Sequence, residues 1–179
     1  RSGQASGCLR SWAEKVWSAG YLGMAWPEKY GGRGLSPIYQ NIADAEMKLA
    51  RVPICFNVIG LGWAGPLILD KGTDYEREKY LKGILNAEDI WCQGFSEPNH
   101  GSDLGSIQTR AERDGDHYLV NGSKIWTTMG NYAKYMILLD RTALQAARKS
   151  QGRTCFPSPM HRTRISADTP KNPTRPRRL

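Results

Sequence analysis

A chain of 179 residues with 40% hydrophobic content and six tryptophans has apolar material for one or two modest cores, which excludes wholesale disorder. Its formal charge of +8 is unevenly spread: residues 1–142 carry 16 Lys+Arg and 16 Asp+Glu, whereas residues 143–179 carry 9 Lys+Arg against Asp168 alone. A basic face on the body is thereby excluded, and any partner drawn by net charge is confined to the tail. Cys8, Cys55, Cys92 and Cys155 are scattered, and His100, His117 and His161 do not cluster with them, so free thiols in a reducing cytoplasm and no metal site are expected. No apolar run reaches the length of a membrane span, and no basic-then-apolar leader opens the sequence.

In chain order, Leu9, Trp12, Ala13, Val16 and Trp17 recur at helical spacing and stop before Gly20, which suits the residue after a helix end. The stretch Trp26–Leu35 holds Pro27 and several glycines and reads as a packed loop. Ser36-Pro37 reads as cap and first turn of a helix through about Leu49, with Ile38, Ile42, Ala45 and Leu49 on its apolar face. After Pro53, the residues Phe56, Ile59, Trp63 and Leu67 predict a further apolar helix. Thr73-Asp74-Tyr75-Glu76 is a capping box for a helix bearing Tyr80, Leu81 and Leu85. The period then changes: residues 107–113, 117–120, 123–128 and 134–140 read as strands, separated by turns at Asp114-Gly115-Asp116, Asn121-Gly122 and Gly130-Asn131.

The stretch most suited to chemistry runs from Trp91 to Thr128. Glu97-Pro98 stops an apolar run, and Gly101-Ser102-Asp103 follows in a polar loop able to aim backbone N–H groups and hydroxyls at one point. Asn121-Gly122 predicts a tight hairpin leading into Lys124-Ile125-Trp126-Thr127-Thr128, an aromatic plane with hydroxyls beside it. A polar loop beside an aromatic strand suits a flat, phosphate-bearing cofactor. Singly, these features would be a plain turn, a core tryptophan and ordinary loop caps.

Taken together, Gln93-Gly94-Phe95-Ser96-Glu97-Pro98, Gly101-Ser102-Asp103 and Asn121–Thr128 resemble the flavin-binding signatures of acyl-CoA dehydrogenases, and Trp26–Leu35 resembles that family's helical-domain motif. The resemblance covers roughly residues 12 to 142. It implies an α+β fold: an N-terminal helical domain (residues 1–90) followed by an antiparallel middle β-domain, a partial barrel (residues 91–142). It implies FAD as cofactor, held by Gln93, Gly94, Phe95, Ser96, Ser102, Trp126, Thr127 and Thr128, with Ser102 also at the acyl-CoA site. The implied reaction is α,β-dehydrogenation of an acyl-CoA thioester, with electron-transfer flavoprotein as acceptor and a homo-oligomer as the full-length form. An oxidase-type relative is the alternative within the family, and a binding protein using its basic tail is the alternative outside it.

The resemblance places the catalytic carboxylate in a third, helical domain, and no residue here matches it, so no catalytic residue is assigned. Glu97 precedes a proline in a turn and is expected to accept local hydrogen bonds rather than act as a base. Asn99-His100 stands where the family carries small residues. After Thr142 the patterning breaks: residues 143–179 hold five of the ten prolines and no tryptophan or tyrosine. They are expected to be irregular and exposed, the product of a shifted reading frame or an aberrant fragment.

Overall fold

A computed structural model of the chain describes residues 2–53, 55–143, 152–161 and 165, with side chains from residue 7 onward. Helix α1 (Ser2–Ser18) buries Ala13 and Val16 and ends as its sequence predicts. Gly20 takes φ +83°, the Tyr21 N–H bonds the Val16 carbonyl (2.9 Å) and the Gly20 N–H bonds the Trp17 carbonyl (2.7 Å), a Schellman closure. The indoles of Trp12 and Trp17 donate to the carbonyls of Pro53 and Gly31, each at 3.0 Å, and so pin two loops to α1.

Helix α2 (Pro37–Leu49) begins and ends where expected, but the face that meets the body differs from the one read in sequence. Ile38 and Ile42 are each 54% exposed and Leu49 76%, while Gln40, Ala43 and Met47 point inward. The Gln40 amide sets this rotation: its oxygen accepts from the Met24 N–H (3.1 Å) and its nitrogen donates to the Tyr21 carbonyl (3.0 Å). The next helical segment starts at Val58, passes through a π-turn (Gly60–Ala64) and continues as α3 (Gly65–Lys71). Its buried side is Gly60, Ala64 and Ile68, one position later than the expected Ile59, Trp63 and Leu67.

Helix α4 (Asp74–Leu85) carries the complete capping box: the Glu76 N–H donates to Thr73 Oγ1 (3.2 Å) and the Thr73 N–H to Glu76 Oε2 (2.7 Å). It buries Tyr80, Leu81 and Ile84 against a sheet of β1 (Trp91–Gly94), β2 (Arg110–Asp114), β3 (His117–Asn121), β4 (Tyr135–Arg141) and β5 (Arg153–Pro159), and Leu85 against Val16 and Leu22. Tyr80, Trp91 and Tyr135 form a triangle of rings with centroids 5.0–5.3 Å apart at this junction. Buried Asn57 ties helices to sheet: it donates to the Ile84 and Asp89 carbonyls (3.0 and 2.9 Å) and accepts from the Trp91 N–H (3.0 Å).

The fold is α+β, helices followed by a sheet, with three corrections to the expected β-part. The sheet is mixed, not antiparallel: β1 and the start of β2 run parallel to β4, whereas β3 pairs β2 and β5 pairs β4 antiparallel. Residues 123–128 form no strand, because Trp126 (φ +56°) and Met129 (φ +69°) lie in the left-handed region, where a ladder cannot continue. The hairpin falls instead at Asp114-Gly115-Asp116, as that turn predicts.

The third correction concerns the tail. Residues 153–159 are not irregular: they pair with β4 along seven consecutive positions, so the sheet does not end at residue 142. Two prolines do not prevent this, for a reason of parity. The Thr142 N–H bonds the Gly152 carbonyl and the Met160 N–H bonds the Lys134 carbonyl, so the even-numbered residues of β5 bond inward. Pro157 and Pro159 then set their missing N–H on the open edge, where none is needed. Residues 144–151, 162–164 and 166–179, the rest of the expected irregular tail, lie outside the described residues.

Candidate functional site

Glu97 and Lys124 organise the loops at the end of β1. Residues Glu97 to His100 form a tight reversal closed by two backbone bonds, 2.9 and 3.0 Å. The Glu97 carboxylate, 4% exposed, accepts from the Gln108 N–H (2.6 Å), the Thr109 N–H (2.8 Å), Thr109 Oγ1 (2.5 Å) and Lys124 Nζ (2.9 Å). Burial alone would push its pKa up, but the hydroxyl, amide and ammonium donors outweigh it and hold it at about 2. Glu97 is thus a fixed anion with its lone pairs engaged, by donors 11 to 27 residues away rather than by the local ones expected. Lys124 also donates to the Leu139 carbonyl (2.7 Å) and the Phe95 carbonyl (3.3 Å). Gly122 lets the chain pass here, since a Cβ would collide with the Thr109 side chain.

This knot lays the segment Ser123–Thr128 against the loop after β1, and the Ile125 N–H bonds the Ser96 carbonyl (2.8 Å). The predicted residues Gln93, Gly94, Phe95 and Ser96 are thereby carried alongside Trp126, Thr127 and Thr128. Gln93, Phe95, Ser96 and Thr127 are half-buried, and Gly94 is buried opposite Leu138 of β4. Trp126 is 78% exposed, a bare indole held in a left-handed backbone between Lys124, which is tied down, and the turn at 127–133. Ser102 lies exposed in the bend between His100 and the 3-10 turn Leu104–Ser106, and among the described residues no hydrogen bond joins it to the others.

Two well-formed clefts lie among the described residues, and neither is lined by the predicted cofactor residues. One of about 800 Å³ lies between α2, the Leu22–Trp26 loop and residues 51–62. One of about 330 Å³ lies between α3, Trp91, Ile137 and β5, with Arg153 at its edge. Sequence reasoning assigned no role to Lys124, Thr109 or Asp140. Asp140 is fully buried on β4; burial pushes its pKa up to about 6, opposed by nearby Lys124 and assisted by Glu97. Neither of its carboxylate oxygens has a hydrogen-bond partner among the described residues. A lysine inside an otherwise apolar and hydroxylic run was the one signal that could have exposed this cluster.

A helical layer on a mixed sheet, with a knotted polar loop beside a bare indole, is the setting in which comparison with known proteins becomes decisive. Residues 4–88 match the family model for the acyl-CoA dehydrogenase N-terminal domain, and residues 92–175 that for the acyl-CoA dehydrogenase middle domain. The chain belongs to the acyl-CoA dehydrogenases, a family of oxidoreductases. It is 38% identical over 133 residues to acyl-CoA dehydrogenase IpdE1 of Mycobacterium tuberculosis, covering 74% of this chain and 34% of that protein. The solved Tcur3481-Tcur3483 steroid ACAD is 37% identical with a TM-score of 0.75, over 85% of this chain and 39% of that one. A glutaryl-CoA dehydrogenase from Mycobacterium smegmatis, solved in complex with FADH2, is 25% identical with a TM-score of 0.69, over 85% and 38%. The chain therefore spans little more than a third of the length of these relatives. The middle-domain match continues through residue 175, which, with β5, runs against a tail foreign to the family.

Proposed function

We propose that this chain carries the flavin-facing part of an FAD-dependent acyl-CoA dehydrogenase. The observation that supports this reading is the backbone bond of Ile125 to Ser96, which brings the strand-end loop alongside the segment Trp126-Thr127-Thr128, whose indole is uncovered. An uncovered aromatic plane bordered by hydrogen-bonding groups fits an isoalloxazine ring. In this reading Gln93, Gly94, Phe95, Ser96, Trp126, Thr127 and Thr128 border the flavin, and Ser102 faces both cofactor and acyl-CoA. Bound FAD would supply the hydride acceptor for the β-hydrogen of the thioester.

The residues of this chain would position that chemistry, not start it. Proton abstraction needs a free carboxylate within hydrogen-bond reach of the α-carbon. Glu97 is fully engaged and Asp140 is fully buried, so in this reading neither supplies the base, which the family resemblance assigns to a third, helical domain. The same reading gives the whole enzyme an electron-transfer flavoprotein as acceptor, a homo-oligomeric state and a cytoplasmic location. No helix among the described residues is long and apolar enough to cross a membrane.

The chain by itself should leave acyl-CoA intact, since a positioned general base typically contributes about 10² to 10⁴ in rate. Anaerobic mixing of the chain with FAD and acyl-CoAs of several lengths, followed by flavin absorbance, checks this. Bleaching that requires the chain and vanishes in Ser102→Ala or Trp126→Ala would show a complete site within it.

A further inference from the structure

Two edges of the sheet are finished differently. The open edge of β5 carries Pro157 and Pro159, whose rings offer no N–H to a further strand. β3 (His117-Tyr118-Leu119-Val120-Asn121) has no such device. Among the described residues it pairs only with β2, in unbroken register, and it holds no proline or lysine. All of its residues are exposed, Tyr118 and Leu119 each at 48% and Val120 at 38%. Successive residues of a strand point to opposite faces, so this ribbon is apolar and open on both. Tyr118 leans on the Phe156 ring (centroids 4.8 Å apart) and still keeps half its surface.

Parity fixes which backbone groups face outward. The turn Gly115-Asp116 makes Asp114 and His117 a hydrogen-bonded pair, so His117, Leu119 and Asn121 bond to β2. The Arg141 N–H bonds the Thr109 carbonyl, so odd positions entering β2 face β4 and even ones face β3, in the same phase. The N–H and C=O groups of Tyr118 and Val120 therefore point to the free edge.

The partner that matches this edge is the edge itself. In an antiparallel pairing about a two-fold axis at Leu119, Tyr118 of one chain faces Val120 of the other. Leu119 faces Leu119, and His117 faces Asn121, so apolar meets apolar and polar meets polar on each face. Tyr118 and Val120 then form hydrogen-bonded pairs, each exchanging both N–H···O bonds. Moving the axis to Tyr118 would set Asp116 against Val120, and moving it to Val120 would set Gly122 against Tyr118. Charge selects the antiparallel sense. It carries the acidic turn of each ribbon, with Asp114 and Asp116, toward the Arg110 end of the other, whereas a parallel alignment would bring the acidic turns together.

We infer that β3 is a docking edge for a second copy of this chain, the two β3 strands pairing antiparallel about Leu119 into one continuous sheet. The contact uses the same edge on both partners and so closes at two. It is small against the roughly 1,200–2,000 Å² of a standard interface, so the dimer is weak, with a Kd on the order of micromolar. The contact is independent of the flavin reading, because the segments around Ser96 and Trp126 take no part in it.

Sedimentation velocity of the full chain without FAD, from about 1 to 100 µM, tests this and should show monomer giving way to dimer. Val120→Pro removes an outward N–H and leaves the bonds to β2 in place, so it should weaken association by about 10-fold or more. Leu119→Lys, at a half-exposed position that leaves the monomer folded, should do the same by setting two ammonium groups opposite each other. Mixing it with Leu119→Glu should restore a dimer that neither forms alone. Ile42→Lys, on the exposed stripe of α2, should change nothing. Hydrogen exchange at Tyr118 and Val120 should slow as concentration rises. Protection that ignores concentration would mean that another segment of the same chain covers the edge, and would overturn the assignment. So would a monomer at every concentration, growth beyond a dimer, equal loss in Ile42→Lys, or a dimer that survives both Val120→Pro and Leu119→Lys.

Discussion

Helices α2 and α4 both open on clear start signals, Ser36-Pro37 in one and the Thr73–Glu76 box in the other, and α2 has the sharper apolar stripe. Yet α4 buries Tyr80, Leu81, Ile84 and Leu85, while α2 buries no residue and leaves Ile38, Tyr39, Ile42 and Leu49 exposed. The difference lies in what each helix meets. The chain runs from α4 directly into β1, and Asn57 bonds both, so α4 is pressed onto the sheet. Helix α2 is oriented by the polar reach of Gln40, which turns the stripe outward. A stripe states that a face is apolar; it does not state which surface covers it.

The contrast between a covered and an uncovered side predicts unequal responses to substitution. The largest should come from Lys124→Met, which leaves the buried Glu97 carboxylate without its cation. Removing one partner of such a pair costs about 3–5 kcal/mol, measurable by urea unfolding. Adding Glu97→Gln should recover part of it, and a double variant as unstable as the single one would break the argument. Next, Leu81→Ala should cost about 2–5 kcal/mol, whereas Ile42→Ala should stay within about 0.5 kcal/mol. Equal losses in the two helices would erase the comparison.

A third effect is a slope in pH. The folded chain holds the Asp140 proton up to about pH 6, against an ordinary value of 3.8. Between those values the folded state binds more protons than the unfolded one, so Asp140 removes stability as pH rises, by an amount on the order of 3 kcal/mol when complete. Glu97 runs the other way: lowered from 4.5 to about 2, it contributes stability that is lost as pH falls across that interval. The stability of Asp140→Asn relative to the parent should therefore rise between pH 4 and pH 7. A constant difference across that range, read from melting temperatures at several pH values, would remove Asp140 from the account.

Helix ends were legible in sequence because they are set locally, by Gly20, Ser36-Pro37 and the Thr73–Glu76 box. The Asp114-Gly115-Asp116 hairpin was legible for the same reason. Helix faces were not: the one-position offset at Gly60, Ala64 and Ile68 comes with a π-turn that no residue announces. The strand expected at 123–128 failed because the Lys124 ammonium binds three oxygens from distant segments, a tertiary demand that overrides alternation. β5 was hidden by its prolines, which read as breakers until their parity against β4 is known. At the candidate site, the motifs carried the segments around Ser96 and Trp126, whereas the buried cluster of Glu97, Thr109, Lys124 and Asp140 needed three dimensions.

The parallel alignment of β1 with β4 also sets the order in which the chain can fold. Asp89 and Lys134, which meet at 2.5 Å beside that alignment, are 45 positions apart in sequence. Closing a loop of that length costs about 3 kcal/mol in chain entropy beyond a constant, before any contact offsets it. The β2–β3 hairpin lies inside the loop and needs only a two-residue turn, so it can form within about 1–10 µs. It then waits as an exposed ribbon, joined to β4 only at Arg110, until β1 and β4 meet. Collapse onto α4 is thus expected to come late: substitutions at Asn57 or Trp91 should slow refolding, while those in the hairpin should chiefly change how fast the native chain opens, which stopped-flow refolding and unfolding would check.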